Sequence, residues 1–196
     1  MNNTINKIMA QIRELEQQLE EALHQRKEGL KYIIQDGKIV FEREALSLHR
    51  NLKVSASHYI KEARWIVILT SPVIYSLIIP FVLLDLFVTI YQTICFPIYE
   101  IPKVKRSDYL VFDRIKLRYL NSIEKINCAY CSYANGIIAY VQEVAARTEQ
   151  YWCPIKHARK KTEHHNRYPL FTDFGDAEQY RRELSNIKRK FDQDLD

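Results

Sequence analysis

The residues best suited to chemistry are three thiols and an imidazole, Cys128-Ala-Tyr-Cys131 and then Cys153-Pro-Ile-Lys-His157. Two sulfurs in a C-x2-C spacing can reach one ion. After twenty-one intervening residues, C-x3-H supplies the other two ligands. Three thiolates and one imidazole form a closed tetrahedral set of the kind zinc takes in structural sites. Cys128, Cys131, Cys153 and His157 are therefore expected to hold Zn, and iron fits the same thiolate-rich cage. A closed set leaves no coordination position for a reacting water. Its expected role is a clip across the ends of a helix over 133–149, with His157 on the first turn of a new helix begun by Pro154. Two other readings stay open: buried thiols with an exposed His157, and a redox pair, which lacks a βαβ context. Ser132 after Cys131 excludes a haem c attachment.

A greasy block stands ahead of these residues. Trp65 to Tyr99 is 35 residues long and carries one charge, Asp85. A straight helix of that length would reach roughly 50 Å, against about 30 Å of hydrocarbon. Pro72 and Pro80 favour kinks within it. Arg50, Lys53, Lys61 and Arg64 precede it, and Lys103, Lys105 and Arg106 follow. Basic flanks on both sides put both ends in the cytoplasm by the positive-inside rule. The block is expected as a re-entrant hairpin or bent span, with a single tilted span as competitor. Asp85 is expected near a bend or the headgroup level, although an ionisable group at membrane depth is also a candidate functional residue.

Thr70-Ser71-Pro72-Val73-Ile74 resembles the Ser-Pro break in the re-entrant helix of monotopic phosphoglycosyl transferases. That resemblance implies a membrane geometry only. The Asp-Glu dipeptide of that family has no counterpart in this chain. The longer run from Cys-Ala-Tyr-Cys-Ser-Tyr-Ala-Asn-Gly through Glu-Gln-Tyr-Trp-Cys-Pro-Ile-Lys-His-Ala resembles a family of uncharacterised bacterial membrane proteins. It implies a bacterial source and a membrane setting, with no activity attached.

The remaining elements must position these features. Ile5, Ile8, Ile12, Leu15, Leu19 and Ala22 follow the a/d steps of a coiled-coil seam. Residues 5–22 are thus expected either to pack on their own domain or to pair with a homodimer or protein partner. Gly29 suits a helix stop, and Tyr32–Gln35 and Lys38–Phe41 read as a β-hairpin turned by Asp36-Gly37. Leu46 to Val54 begin another helix, with His49 and His58 as packing or surface residues. Tyr109 to Ile126 reads mainly as helix. Asp176 can cap a last helix bearing Tyr180, Leu184, Ile187, Phe191 and Leu195 on one face.

Composition agrees with this organisation. The chain has 196 residues, 4 Gly, 13 Tyr and a net charge of +5, which favours helices and a partner surface of anionic lipid headgroups. The polar, amphipathic stretch Met1 to Gln18 predicts no secretory signal, and C-x2-C without export predicts reduced thiols. The expected fold is mainly α, membrane-anchored, in three parts: 1–63, the membrane segment 64–102, and a helical region 103–196 with the Cys/His knuckle.

The function these features favour is a membrane-anchored accessory or scaffold protein on the cytoplasmic face of a bacterial inner membrane. An enzyme acting on a lipid or lipid-linked substrate is the alternative, with Asp85, Arg147, Glu149, His157, His164 and His165 as its candidate residues. No Ser/His/Asp spacing, phosphate loop or carboxylate pair supports it. The basic tail Arg159 to Arg167 permits nucleic acid, and the membrane segment argues against it.

Overall fold

The computed structural model describes residues 2–28, 32–35 and 38–191. It is mainly helical, and the described chain divides into two compact units. One gathers Met1–Glu62 with Asp113–Lys125, the other Ala63–Phe112 with Ile126–Asp196. The first unit holds helix α1 (Asn2–Glu28), strands β1 (Tyr32–Gln35) and β2 (Lys38–Phe41), and helices α2 (Arg43–Asn51) and α3 (Ala56–Glu62). The strands pair antiparallel, Tyr32 opposite Phe41 and Gln35 opposite Lys38. Gly29 and the Asp36-Gly37 turn fall outside the described residues. Phe41, His49 and Tyr119 stack edge to face in sequence, so His49 serves as an aromatic packing piece.

Among the described residues the seam on α1 finds no cover. Ile8, Ile12, Leu15, Leu19 and Leu23 are all exposed. Packing of this helix on its own domain, one of the two expected outcomes, is not what the fold shows.

The second unit is built on the apolar block. Helix α4 (Trp65–Ser76) leads into α5 (Ile78–Ile98) through Leu77, whose φ −63° and ψ −14° are right-handed helical. The chain keeps one direction there, with no reversal inside the block. The sequence explains why Ser71-Pro72 does not break it. Pro72 cannot donate to the Ile68 carbonyl, and the Ser71 hydroxyl does so instead at 2.8 Å. At Pro80 the ladder tightens locally, Leu77 N–H bonding to Ile74 O at 3.2 Å. The result is one helical stretch, Trp65–Ile98, with mean hydropathy 2.4 and only 6% of its most apolar window buried.

After α5 the chain turns back. Residues 99–112 run beside α5 with one short helical turn, α6 (Arg106–Tyr109), and α7 (Ser122–Trp152) then follows. Tyr109–Ile126 was expected to be mainly helical, yet regular helix starts only at Ser122. The cause is a capping box at Asn121: its Oδ1 accepts from the Ile123 and Glu124 amides, and Glu124 Oε2 accepts from the Asn121 amide at 2.8 Å. The last helix, α8 (Ala177–Arg189), starts as expected, Asp176 accepting from the Gln179 amide at 2.8 Å. Leu195 lies outside the described residues.

The core of this unit lies between α5, the returning segment and α7. Phe96, Ile101, Val104, Ile137, Tyr140, Val144 and Phe191 are buried together. Contacts of α7 with the stretch from α4 to the end of α5 rise in step: Tyr75 to Asn127, Asp85 to Tyr133, Gln92 to Tyr140, Tyr99 to Tyr151. Helices α5 and α7 therefore run parallel, which the backward course of residues 99–112 makes possible.

Candidate functional site: the polar inner face of the apolar helix

Helix α5 has two unlike sides. Ile79, Val82, Leu83, Leu86, Phe87, Ile90, Ile94 and Ile98 are exposed at three- and four-residue steps. Phe81, Asp85, Val88, Gln92 and Phe96 share the opposite side, at helical spacing. That inner side carries the polar groups, and each has a partner supplied by the returning segment or α7.

Asp85 lies neither at a bend nor at a helix cap. It sits well inside α5, where Arg106 grips it with two hydrogen bonds, Nε to Oδ1 at 3.0 Å and Nη2 to Oδ2 at 2.6 Å. Tyr133 donates to Oδ2 at 3.0 Å and Thr89 to Oδ1 at 3.3 Å. A planar guanidinium matches a carboxylate in this forked geometry. Burial, together with the Asp85 carboxylate, pushes the Tyr133 phenol up, so it stays a proton donor to that carboxylate. Arg106, one of the basic residues that follow the apolar block, closes the carboxylate from the side.

Gln92 is buried one level further along. Its Oε1 accepts from the Val104 amide at 2.7 Å, and its Nε2 donates to the Val104 carbonyl at 3.2 Å and to the Tyr140 hydroxyl at 2.8 Å. One side chain thus satisfies both backbone groups of Val104, which no sheet or helix serves. Close approach of the same segment to α7 depends on Gly136. A Cβ there would lie 2.6 Å from the Tyr109 carbonyl oxygen.

The Cys/His set is not brought together. Cys128 and Cys131 lie on α7 one turn apart, and α7 continues unbroken through Asn135-Gly136 to Trp152. The amide of Cys153 still bonds to the Glu149 carbonyl at 2.8 Å. Cys153 comes 22 positions after Cys131, a separation of about 33 Å along a helix. No single ion spans that distance, and among the described residues no group of three or more metal-ligating side chains assembles. The Asn135 side-chain Nδ2 donates to the Cys131 carbonyl at 2.9 Å, one turn back on α7, and Gly136 serves packing.

His157 is not on a helix either. Pro154 begins no new helix: its carbonyl accepts from the amide and hydroxyl of Thr172, and Ile155 bridges to Thr172 in parallel. Burial and the Glu149 carboxylate hold the Cys153 thiol above its ordinary range, which weakens it as a thiolate ligand. Metal content of purified protein is the direct check. With ligands this far apart, zinc or iron should fall below about one-tenth of an equivalent, and Cys131→Ser should leave it unchanged. One equivalent lost in Cys131→Ser would restore the knuckle.

Of the enzyme candidates, His157, His164 and His165 gather around the Tyr168 ring with Glu149 paired to His165, while Asp85 and Arg147 have other partners. Arg147 pairs with Glu143 at 2.7 Å and donates to the Pro102 carbonyl, so it does not face Glu149. Glu149 pairs with His165 at 3.0 Å. Arg167, 4% exposed, adds a second guanidinium to Glu143 and bonds to Gln150, whose amide holds the Ile187 and Lys190 carbonyls at the end of α8. His164 stacks on Tyr168 at 4.0 Å, and the His157 amide donates to the Tyr168 hydroxyl oxygen at 2.7 Å. These contacts fasten residues 153–191 to α7. A cleft of about 490 Å³ between α5 and α7 is lined by Val88, Tyr91, Val141, Val144, Ala145 and Trp152 among others, a mainly apolar wall.

Compared with known protein families, with curated proteins and with solved structures, the chain finds no match.

Proposed function

We propose that this chain is a membrane-anchored accessory or scaffold protein of a bacterial inner membrane, with its soluble parts on the cytoplasmic side. The observation that carries the proposal is the helix Trp65–Ile98, long and apolar enough to enter a membrane and with only 6% of its most apolar window buried. In water an apolar surface of that extent would drive association. In lipid it is an anchor. Support for a scaffold comes from two further features. The exposed seam on α1 offers a partner helix or a second copy a ready apolar stripe. Three carboxylates of the second unit, Asp85, Glu143 and Glu149, serve internal fastening, each held by a basic partner.

Membrane fractionation tests the anchor. The wild-type chain should stay in the pellet after alkaline carbonate washing, and a variant with Leu83, Phe87 and Ile90 all changed to Lys should move largely to the supernatant. Recovery of the wild type in the soluble fraction would remove the reading. In detergent, deletion of residues 1–28 should lower the measured mass or release a co-purifying protein; an unchanged mass with nothing released would remove the partner role of α1.

A further inference from the structure

The membrane reading leaves open how the helix lies. We infer that Trp65–Ile98 does not cross the bilayer: it lies along one leaflet, with the outward stripe of α5 immersed and the Asp85–Arg106 pair at the water side. This inference rests on the membrane anchor proposed above.

A crossing would place the middle of the helix, near Phe81 and Val82, at the bilayer centre. Asp85 would then lie only about 5 Å from that centre. Its partner Arg106 has a side chain 46% exposed. Lys103, Lys105 and Asp108 on the same returning segment are exposed too. Hydrocarbon would have to surround the Asp85–Arg106 pair and the irregular backbone around Arg106 running beside the helix. Lipid-exposed irregular backbone is not found at that depth, because its polar groups have no water to bond.

The surface of the helix agrees with a lateral placement. Along α5 the exposed apolar residues keep to one stripe, while the other side is closed by α7 and the returning segment. A stripe of this kind matches a helix lying in the interface plane, half in lipid and half against its own protein. Along α4, Ile66, Val67, Ile68 and Leu69 are exposed on every side of the helix, so this part sinks deeper. Aromatic groups mark the far end of the immersed face: Tyr99, Tyr151 and Trp152 cluster with ring centroids 5.2 to 5.4 Å apart, as side chains do at headgroup level. Arg64 precedes the helix, Lys103 and Lys105 follow it, and the chain is +5 overall. The leaflet it fits is one rich in anionic headgroups.

The chain has 2 tryptophans, Trp65 and Trp152, both exposed, and Phe87 is among the most exposed residues of the stripe. The triple variant Trp65→Phe, Trp152→Phe, Phe87→Trp therefore places one fluorophore on the immersed face at little cost to folding. It would be reconstituted in phosphatidylcholine–phosphatidylglycerol vesicles brominated either near the headgroup or near the chain ends. Bromine near the headgroup should quench about threefold more strongly than bromine at the chain ends, the depth expected of an in-plane helix. Tags at the two termini should both be cleaved by protease added to one face of native membranes.

Dominant quenching from chain-end bromine, or tags protected from opposite faces, would overturn the lateral placement and leave the anchor intact. Protein that pellets with membranes but shows no quenching would also overturn it, because another protein would then cover the stripe. Protein that does not associate with vesicles or membranes at all defeats the anchor itself, a distinguishable result.

Discussion

Gln92→Leu is expected to destabilise the second unit by about 3 kcal/mol, as read from the denaturation midpoint in detergent. Leucine fills similar space but offers neither donor nor acceptor. The Val104 amide and carbonyl, with Val104 only 5% exposed, would be left without their partners, as would the fully buried Tyr140 hydroxyl. Each such group costs about 1–3 kcal/mol when stranded, and the added apolar burial offsets only part of that. Tyr140→Phe removes one bond and keeps the Val104 pair, so its cost should be about 1 kcal/mol. The ordering of the two variants is the test. Equal effects would mean that the Val104 pairing contributes nothing beyond ordinary packing.

Gly136→Ala should also be destabilising, by about 1–3 kcal/mol. At an ordinary helix interior the same change stabilises by up to about 1 kcal/mol, because alanine is the better helix former. Here the new methyl would lie 2.6 Å from the Tyr109 carbonyl oxygen, and the Leu110 side chain and Cα are next nearest at 3.2 and 3.3 Å. Backbone cannot swing aside as a flexible side chain would, so residues 109–110 must move away from α7. Larger side chains should be worse, and Gly136→Val should prevent recovery of folded protein. A thermal midpoint for Gly136→Ala at or above wild type would contradict the close approach.

These two residues also show where the sequence was legible. The apolar block announced itself by length and lack of charge, and the structure keeps it helical from Trp65 to Ile98. The cap of α8 followed from Asp176 and a run of apolar residues at helical spacing. Asn121-Ser-Ile-Glu124 carried an equally local signal, a capping box, which marks the true start of α7 and was overlooked. The Cys/His spacing was less legible because local chemistry has two meanings. Cysteines three apart suit a metal turn or one face of a helix, and a glycine suits a turn or a tight contact. Only the backbone of residues 109–110, some 26 positions away, decides for the contact. Gln92 was legible to no local rule: its partners lie 12 and 48 positions downstream.

That separation has a consequence for how the protein is made. The inner side of α5 leaves the ribosome before anything that covers it: Arg106 follows Asp85 by 21 positions, Tyr133 by 48, and Thr148 follows Tyr91 by 57. During synthesis the helix is therefore an apolar rod with an unpaired carboxylate and carboxamide on one side. Such a rod resists full entry into hydrocarbon and suits the boundary layer, where water can attend to Asp85 and Gln92 until α7 arrives. At about 5–20 residues per second the covering residues take seconds to be made, and the nascent chain would wait for them at the membrane surface.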